Sequence, residues 1–145
     1  MTSNQIIEQL PYGSDFLFVD SIEKIDTESI SGSYHFKGSE YFYPSHFKSL
    51  PVTPGVILTE TMAQIGLVSF GIYLLFLEGK SIENAQIALS SSQVNFYLPV
   101  YPDQKVTVIS VKEYFRFHKL KCTVEMRNEK DELVCKGVIA GMIRY

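Results

Sequence analysis

The stretch GVILTETMAQIGLVSFGIYLLFL, residues 55–77, contains a single charged side chain, Glu60. Pro54 stands directly before it and Glu78-Gly79-Lys80 directly after, so the run is punctuated at both ends. Proline suits the first position of a helix and glycine the residue beyond its end, and the spacing predicts one helix of about six turns. A membrane-crossing helix wants about 20 predominantly apolar residues. The uncharged part, residues 61–77, is shorter and holds Gln64, Gly66, Ser69 and Gly71. A helix that is apolar nearly all round can instead be wrapped in its own protein, and no membrane span is expected.

What could wrap it lies on either side. Downstream, residues 87–89 and 94–98 read as short extended pieces, and residues 106–114, 119–127 and 133–142 as three longer strands. The clearest turn is Asn128-Glu129-Lys130-Asp131-Glu132. Upstream, residues 4–10 suit one or two helical turns before Pro11, and Phe16-Leu17-Phe18-Val19 is an apolar run ending at Asp20. Ile22 and Ile25 lead into a first strand, Ile30, Gly32, Tyr34 and Phe36 continue an extended pattern, and residues 41–49 look irregular. One helix with several antiparallel strands makes an α+β chain. A curved antiparallel sheet around one long central helix would hide the apolar surface of both. The length fits a single domain, 1–145.

Composition narrows the function. Formal charge is -3, so there is no general basic field to attract nucleic acid. Met1-Thr2-Ser3-Asn4-Gln5 has neither a basic nor an apolar region, and a cytoplasmic location without a cleaved signal is the expectation. The two cysteines, Cys122 and Cys135, fall on neighbouring strands at offset positions, since the turn would set Cys122 beside Ile139. Two free thiols are predicted. Their spacing fits no zinc pattern, and neither a metal nor a cofactor is expected.

The chemistry gathers in PSHFKSLPVTPGVILTETMAQ, residues 44–64. It sets His46 on an irregular loop and the lone carboxylate Glu60 inside an apolar helix. A buried glutamate without a counter-charge holds its proton near neutrality and suits a general acid. Histidine is a serviceable base in that range. Gly55 offers a peptide N–H at a helix start, where a developing oxyanion is stabilised. Base, acid and oxyanion donor are the parts needed to eliminate a β-hydroxyl from a thioester. Singly, each has an ordinary structural explanation; only the combination points to a site.

That run resembles the signature of the FabZ-type 3-hydroxyacyl-[acyl-carrier-protein] dehydratases, Gly-His-Phe-Pro-Gly-x-Pro-Val-x-Pro-Gly-Val-x-x-x-Glu-Ala-Met-Ala-Gln, without gaps from Ser45 to Gln64. Leu10-Pro11 with Phe16-Leu17-Phe18-Val19-Asp20 is similar to the family's opening Leu-Pro-His-Arg-x-Pro-Phe-Leu-Leu-Val-Asp. Val94-Asn95-Phe96-Tyr97-Leu98-Pro99-Val100-Tyr101-Pro102 resembles its Val-x-Phe-x-x-Pro-Val-x-Pro-Gly-Asp. The resemblance implies the hot-dog fold and dehydration of (3R)-3-hydroxyacyl thioesters on an acyl carrier protein to trans-2-enoyl thioesters, in fatty-acid or related acyl-chain biosynthesis. His46 and Glu60 fall on the family's catalytic positions, from different subunits of a homodimer or trimer of dimers. Gly55 and Val56 fall at its oxyanion and substrate-binding positions, and Pro54 and Gln64 beside them. Ala63 favours this family over the related dehydratase–isomerases, which usually carry tryptophan there.

Several positions depart from the pattern. Ser45 replaces glycine, Lys48-Ser49 replaces Pro-Gly, Tyr12-Gly13-Ser14-Asp15 replaces His-Arg-x-Pro, and Asp103 replaces the turn glycine. These mark a divergent branch and leave acid and base untouched. His35 and His118 match no motif. Arg116, Lys119 and Lys121 cluster near His118 in an acidic chain; they read either as a solvated strand face or as a docking patch for the acidic acyl carrier protein. Two other functions remain open: a hot-dog acyl-thioester hydrolase, in which Glu60 would direct water, and a catalytically silent acyl-binding or dimerising partner of another dehydratase.

Overall fold

The computed structural model describes residues 1–144. A short helix, α1 (Ser3–Glu8), opens the chain and is capped by Thr2, whose hydroxyl accepts the Gln5 N–H while the Gln5 side chain accepts the Thr2 N–H. A 3-10 turn (Ser14–Phe16) leads to β1 (Ser21–Ile25) and β2 (Ser29–His35). The long helix α2 spans Gly55–Leu77, with Pro54 as its cap. Four strands follow: β3 (Gln86–Phe96), β4 (Lys105–Arg116), β5 (Lys119–Arg127) and β6 (Leu133–Arg144).

The strands form one antiparallel sheet in the order β1-β2-β4-β5-β6-β3. α2 packs against β2, β3, β4, β5 and β6, so the sheet wraps around the helix. On β5 the alternation is strict. Leu120, Cys122, Val124 and Met126 are completely buried, while Lys119, Lys121, Thr123, Glu125 and Arg127 are only partly covered. Of the most apolar window in α2, 78% is buried inside the fold. The expected wrapped helix is what the chain forms.

The middle of α2 is not α-helical. Residues Gln64–Ser69 form a π turn between two α-helical segments. The Ser69 hydroxyl donates to the Gln64 carbonyl (2.7 Å) and the Ser110 hydroxyl of β4 donates to the Gly66 carbonyl (2.8 Å). Gly66 permits that approach, since a Cβ there would lie 2.9 Å from the Ser110 Cβ.

The two extended pieces expected at residues 87–89 and 94–98 are one strand, β3, with a register irregularity between Leu89 and Ser91. Among the described residues β3 pairs only with β6, and its other edge is open. Leu89 and Phe96 remain exposed along it. Cys122 faces Ile139 and Cys135 faces Met126, and both thiols are free and buried. Burial pushes them up to about 11 and about 12, respectively, so they are inert as nucleophiles. Asp103, at the position of the family's turn glycine, has φ 67. Its carboxylate accepts the Gly38 N–H (3.1 Å), a compensation glycine could not supply.

Candidate active site

Glu60 lies in the second turn of α2, half-buried, and Gln64 lies one turn further on the same face. The Gln64 amide is completely buried and fully used. Its oxygen accepts the Phe18 N–H (2.7 Å), and its nitrogen donates to the Phe16 carbonyl (2.9 Å) and to Glu60 Oε2 (2.9 Å). One side chain thus ties the N-terminal segment to the helix and holds the carboxyl by one oxygen. Desolvation raises the Glu60 pKa above the ordinary glutamate value, and the Gln64 bond partly offsets that rise. With Oε2 occupied by an N–H, Oε1 is the oxygen left to carry a transferable proton. Tyr12 stands near: burial, with the charge of Glu60 added, pushes its hydroxyl well above the ordinary tyrosine value.

Replacing Gln64 by leucine removes the bond that lowers the Glu60 pKa and strands a buried Phe18 N–H. Gln64→Leu is therefore expected to raise the carboxyl pKa further, read by NMR titration, and to cost about 1–3 kcal/mol of stability in denaturant unfolding. An unchanged Glu60 titration would remove Gln64 from the site.

His46 sits in the loop before the helix, held at both backbone ends. Its N–H donates to the Phe42 carbonyl (3.0 Å), and its carbonyl accepts the Val52 N–H (2.8 Å). The ring Nδ1 lies 2.8 Å from the Val52 carbonyl. A carbonyl can only accept, so Nδ1 carries the hydrogen and, in the neutral ring, Nε2 keeps a lone pair. The Phe47 ring stacks on the imidazole at 4.1 Å. Among the described residues no bond engages Nε2, so this is an oriented imidazole with that nitrogen open.

At the start of α2 the Pro54 carbonyl accepts the Ile57 and Leu58 N–H groups. Gly55 and Val56 are left to provide the first-turn donors. A shallow cavity of about 290 Å³ opens here, lined by Thr53, Gly55, Leu58, Phe96, Tyr97, Leu98 and Pro99. A Cβ on Gly55 would come within 3.4 Å of the Phe96 ring, so glycine lets that ring pack close to the helix start. Val56 is 76% exposed, outside the fold's own core.

Within one chain Glu60 bonds to Gln64 and His46 to Val52 rather than to each other. The proposed docking residues lie elsewhere. Arg116 pairs with Lys119 across the β4–β5 ladder, and Lys121 with Tyr114. Lys121 lies 3.6 Å from Glu113, and the Arg116 guanidinium rests over the Tyr114 ring at 4.4 Å. Sequence reasoning missed the closeness of Tyr12 to Glu60 and of Phe96 to Gly55. Both lie in the flanking stretches that carry the family resemblance, which was the available signal.

Residues 10–136 match the FabA-like domain family. The chain is 30% identical over 143 residues to the 3-hydroxyacyl-[acyl-carrier-protein] dehydratase FabZ of Clostridium perfringens, covering 96% of each. It is 44% identical over 66 residues to the bifunctional enzyme LpxC/FabZ of Porphyromonas gingivalis, where the match spans 46% of this chain and 14% of that one. Among solved structures, a chain of the dehydratase heterocomplex ApeI:P from Xenorhabdus doucetiae superposes with a TM-score of 0.82 at 9% identity, over 100% of this chain and 93% of that one, a likeness of fold.

Proposed function

The chain belongs to the FabA-like domain family as a divergent FabZ-type dehydratase, and from that premise we propose that it removes water from 3-hydroxyacyl thioesters carried on an acyl carrier protein, with His46 as base and Glu60 as acid. His46 Nε2 takes the α-proton while Glu60 Oε1 protonates the departing β-hydroxyl. The bonds to hydrogen at Cα and to oxygen at Cβ break, the Cα=Cβ bond forms, and water leaves. The charge that builds on the thioester oxygen meets the Gly55 N–H at the helix start, with Val56 at the mouth. The proton gained by His46 replaces the one lost by Glu60. The observation that carries this reading is Glu60 itself: a desolvated carboxyl, fixed by Gln64 through one oxygen and open at the other.

The site is completed by a second copy. The open edge of β3, with Leu89 and Phe96 exposed, leaves unpaired backbone groups and apolar surface. Antiparallel pairing of β3 with β3 of another chain would cover both in an isologous homodimer. His46 of one chain then works with Glu60 of the other. A cytoplasmic enzyme serving fatty-acid or related acyl-chain synthesis fits this reading.

Incubating the protein with a 3-hydroxyacyl thioester and with its 2-enoyl product tests it. Interconversion of the two supports the dehydratase. Release of free thiol would make the chain a hydrolase, and neither change would make it a silent partner.

A further inference from the structure

The N-terminal segment crosses α2 beside the Glu60 carboxyl, and one side chain of that crossing has no part in the site so far. Leu10 is buried where the crossing begins and Phe18 where it ends. Between them the Phe16 N–H donates to the Gly13 carbonyl (3.0 Å), a turn that brings the Tyr12 ring back toward the Phe16 ring, 6.4 Å between centroids. The Phe16 carbonyl in turn accepts from the Gln64 amide nitrogen, which also donates to Glu60 Oε2. Tyr12, Phe16, Gln64 and Glu60 therefore follow one another in space. Tyr12 stands where the family's opening has a histidine.

The Tyr12 ring is partly covered and packs against the core. Its hydroxyl, among the described residues, enters no hydrogen bond. No buried side-chain oxygen or nitrogen among them lacks a partner, so this hydroxyl is not sealed in but still reaches open space. Glu60 presents a similar vacancy, because Gln64 engages Oε2 and leaves Oε1 over. Burial and the charge of Glu60 hold the phenol's proton in place well beyond neutrality. Tyr12 is thus a donor and not a base. In the dehydration drawn above, the Gly55 N–H meets the thioester oxygen and His46 the α-proton, but the β-oxygen has Glu60 alone.

We propose that Tyr12 is a third catalytic residue, whose hydroxyl donates to the β-oxygen of the substrate and presents that oxygen to Glu60 Oε1. The inference rests on the dehydratase reading and names the atom by which the site would recognise a 3-hydroxyacyl chain. A hydroxyl oxygen has two lone pairs. One accepts the Tyr12 O–H, and the other receives the Glu60 proton as the bond to Cβ breaks. Tyr12 keeps its own proton throughout, so the only proton delivered to the leaving oxygen is that of Glu60. A donor already aimed at the oxygen where charge develops costs no reorganisation in the transition state. In the reverse direction the same hydroxyl holds the water that adds to a 2-enoyl chain.

Tyr12→Phe removes the hydroxyl and keeps the ring, so its melting temperature should match the parent. Its kcat for dehydration is expected to fall at least about tenfold. Binding separates contact with the β-oxygen from any general effect on the site. In the Glu60→Gln background, which should bind without turnover, affinities are measured for a 3-hydroxyacyl pantetheine thioester and for the saturated acyl thioester of the same length. Adding Tyr12→Phe should weaken the 3-hydroxyacyl ligand at least about fivefold and leave the saturated one unchanged. Equal changes for the two ligands, or a Tyr12→Phe enzyme with parental kcat, would overturn the assignment while the dehydratase reading stands. Should the parent interconvert neither thioester, the dehydratase reading fails instead; a selective loss of the 3-hydroxyacyl ligand would still uphold the contact between Tyr12 and the β-oxygen. No binding of that ligand with Tyr12 intact would overturn the proposal outright.

Discussion

Glu60→Gln lowers turnover of a 3-hydroxyacyl thioester at least about a hundredfold while the protein still folds and binds substrate, as expected when a general acid is removed. The amide keeps the shape and still accepts the Gln64 N–H, but it has no proton to release to a departing hydroxyl. In the parent, dehydration should fall as pH rises past the Glu60 pKa, which desolvation sets above the ordinary glutamate value. The same shift fixes a sign for stability. The folded protein holds this proton more tightly than the unfolded chain does, so the contribution is full below the ordinary carboxylate range and is lost as pH rises past the raised value. Glu60→Gln does not ionise. Its melting temperature relative to the parent should therefore climb as pH rises from the ordinary carboxylate range past the raised Glu60 value. A variant with near-parental turnover, or a melting difference that stays flat with pH, would remove Glu60 from the acid role.

The central helix was legible because its signal is local: an uncharged run, a proline before it and a glycine after. β5 was read at its observed bounds, residues 119–127, because it alternates on a half-covered surface and the turn at residues 128–132 ends it. β3 was not legible as one strand. It lies at the sheet's edge, and residues 90–93, Ser-Ser-Ser-Gln, show no apolar alternation to link its two ends. The π turn was invisible for another reason. It coincides with a hydroxyl donated to the Gly66 carbonyl from Ser110, on a strand more than forty residues away.

The site divides in the same way. Gly55 and Glu60 were readable from their place in the helix, whereas the pairing of Glu60 with His46 came from a resemblance, because a loop histidine has no period to betray it. What Gln64 does could not be read at all. Its bonds to Phe16 and Phe18 span 48 and 46 residues and depend on the N-terminal segment lying across the helix. The basic cluster was legible in composition, but not its position, at the far end of α2 from Glu60.

His46→Ala should fall at least about a hundredfold in turnover with its fold intact, if the Nε2 lone pair is the base as proposed. The sharper expectation comes from mixing it with Glu60→Gln. If His46 of one chain works with Glu60 of the other, each variant is nearly inactive alone, since every site in its homodimer carries a lesion. In the mixed dimer one site receives both lesions and the other neither. Random exchange makes about half the dimers mixed, with one intact site in each, so about a quarter of parental activity should return. Rescue between two inactive proteins needs a site built from two chains, and it tests dimer, base and acid together. Equal amounts are refolded together, exchange is verified by native mass spectrometry, and hydration of a 2-enoyl thioester is assayed. Complete exchange with no recovered activity would put both residues in one chain's site, or in none.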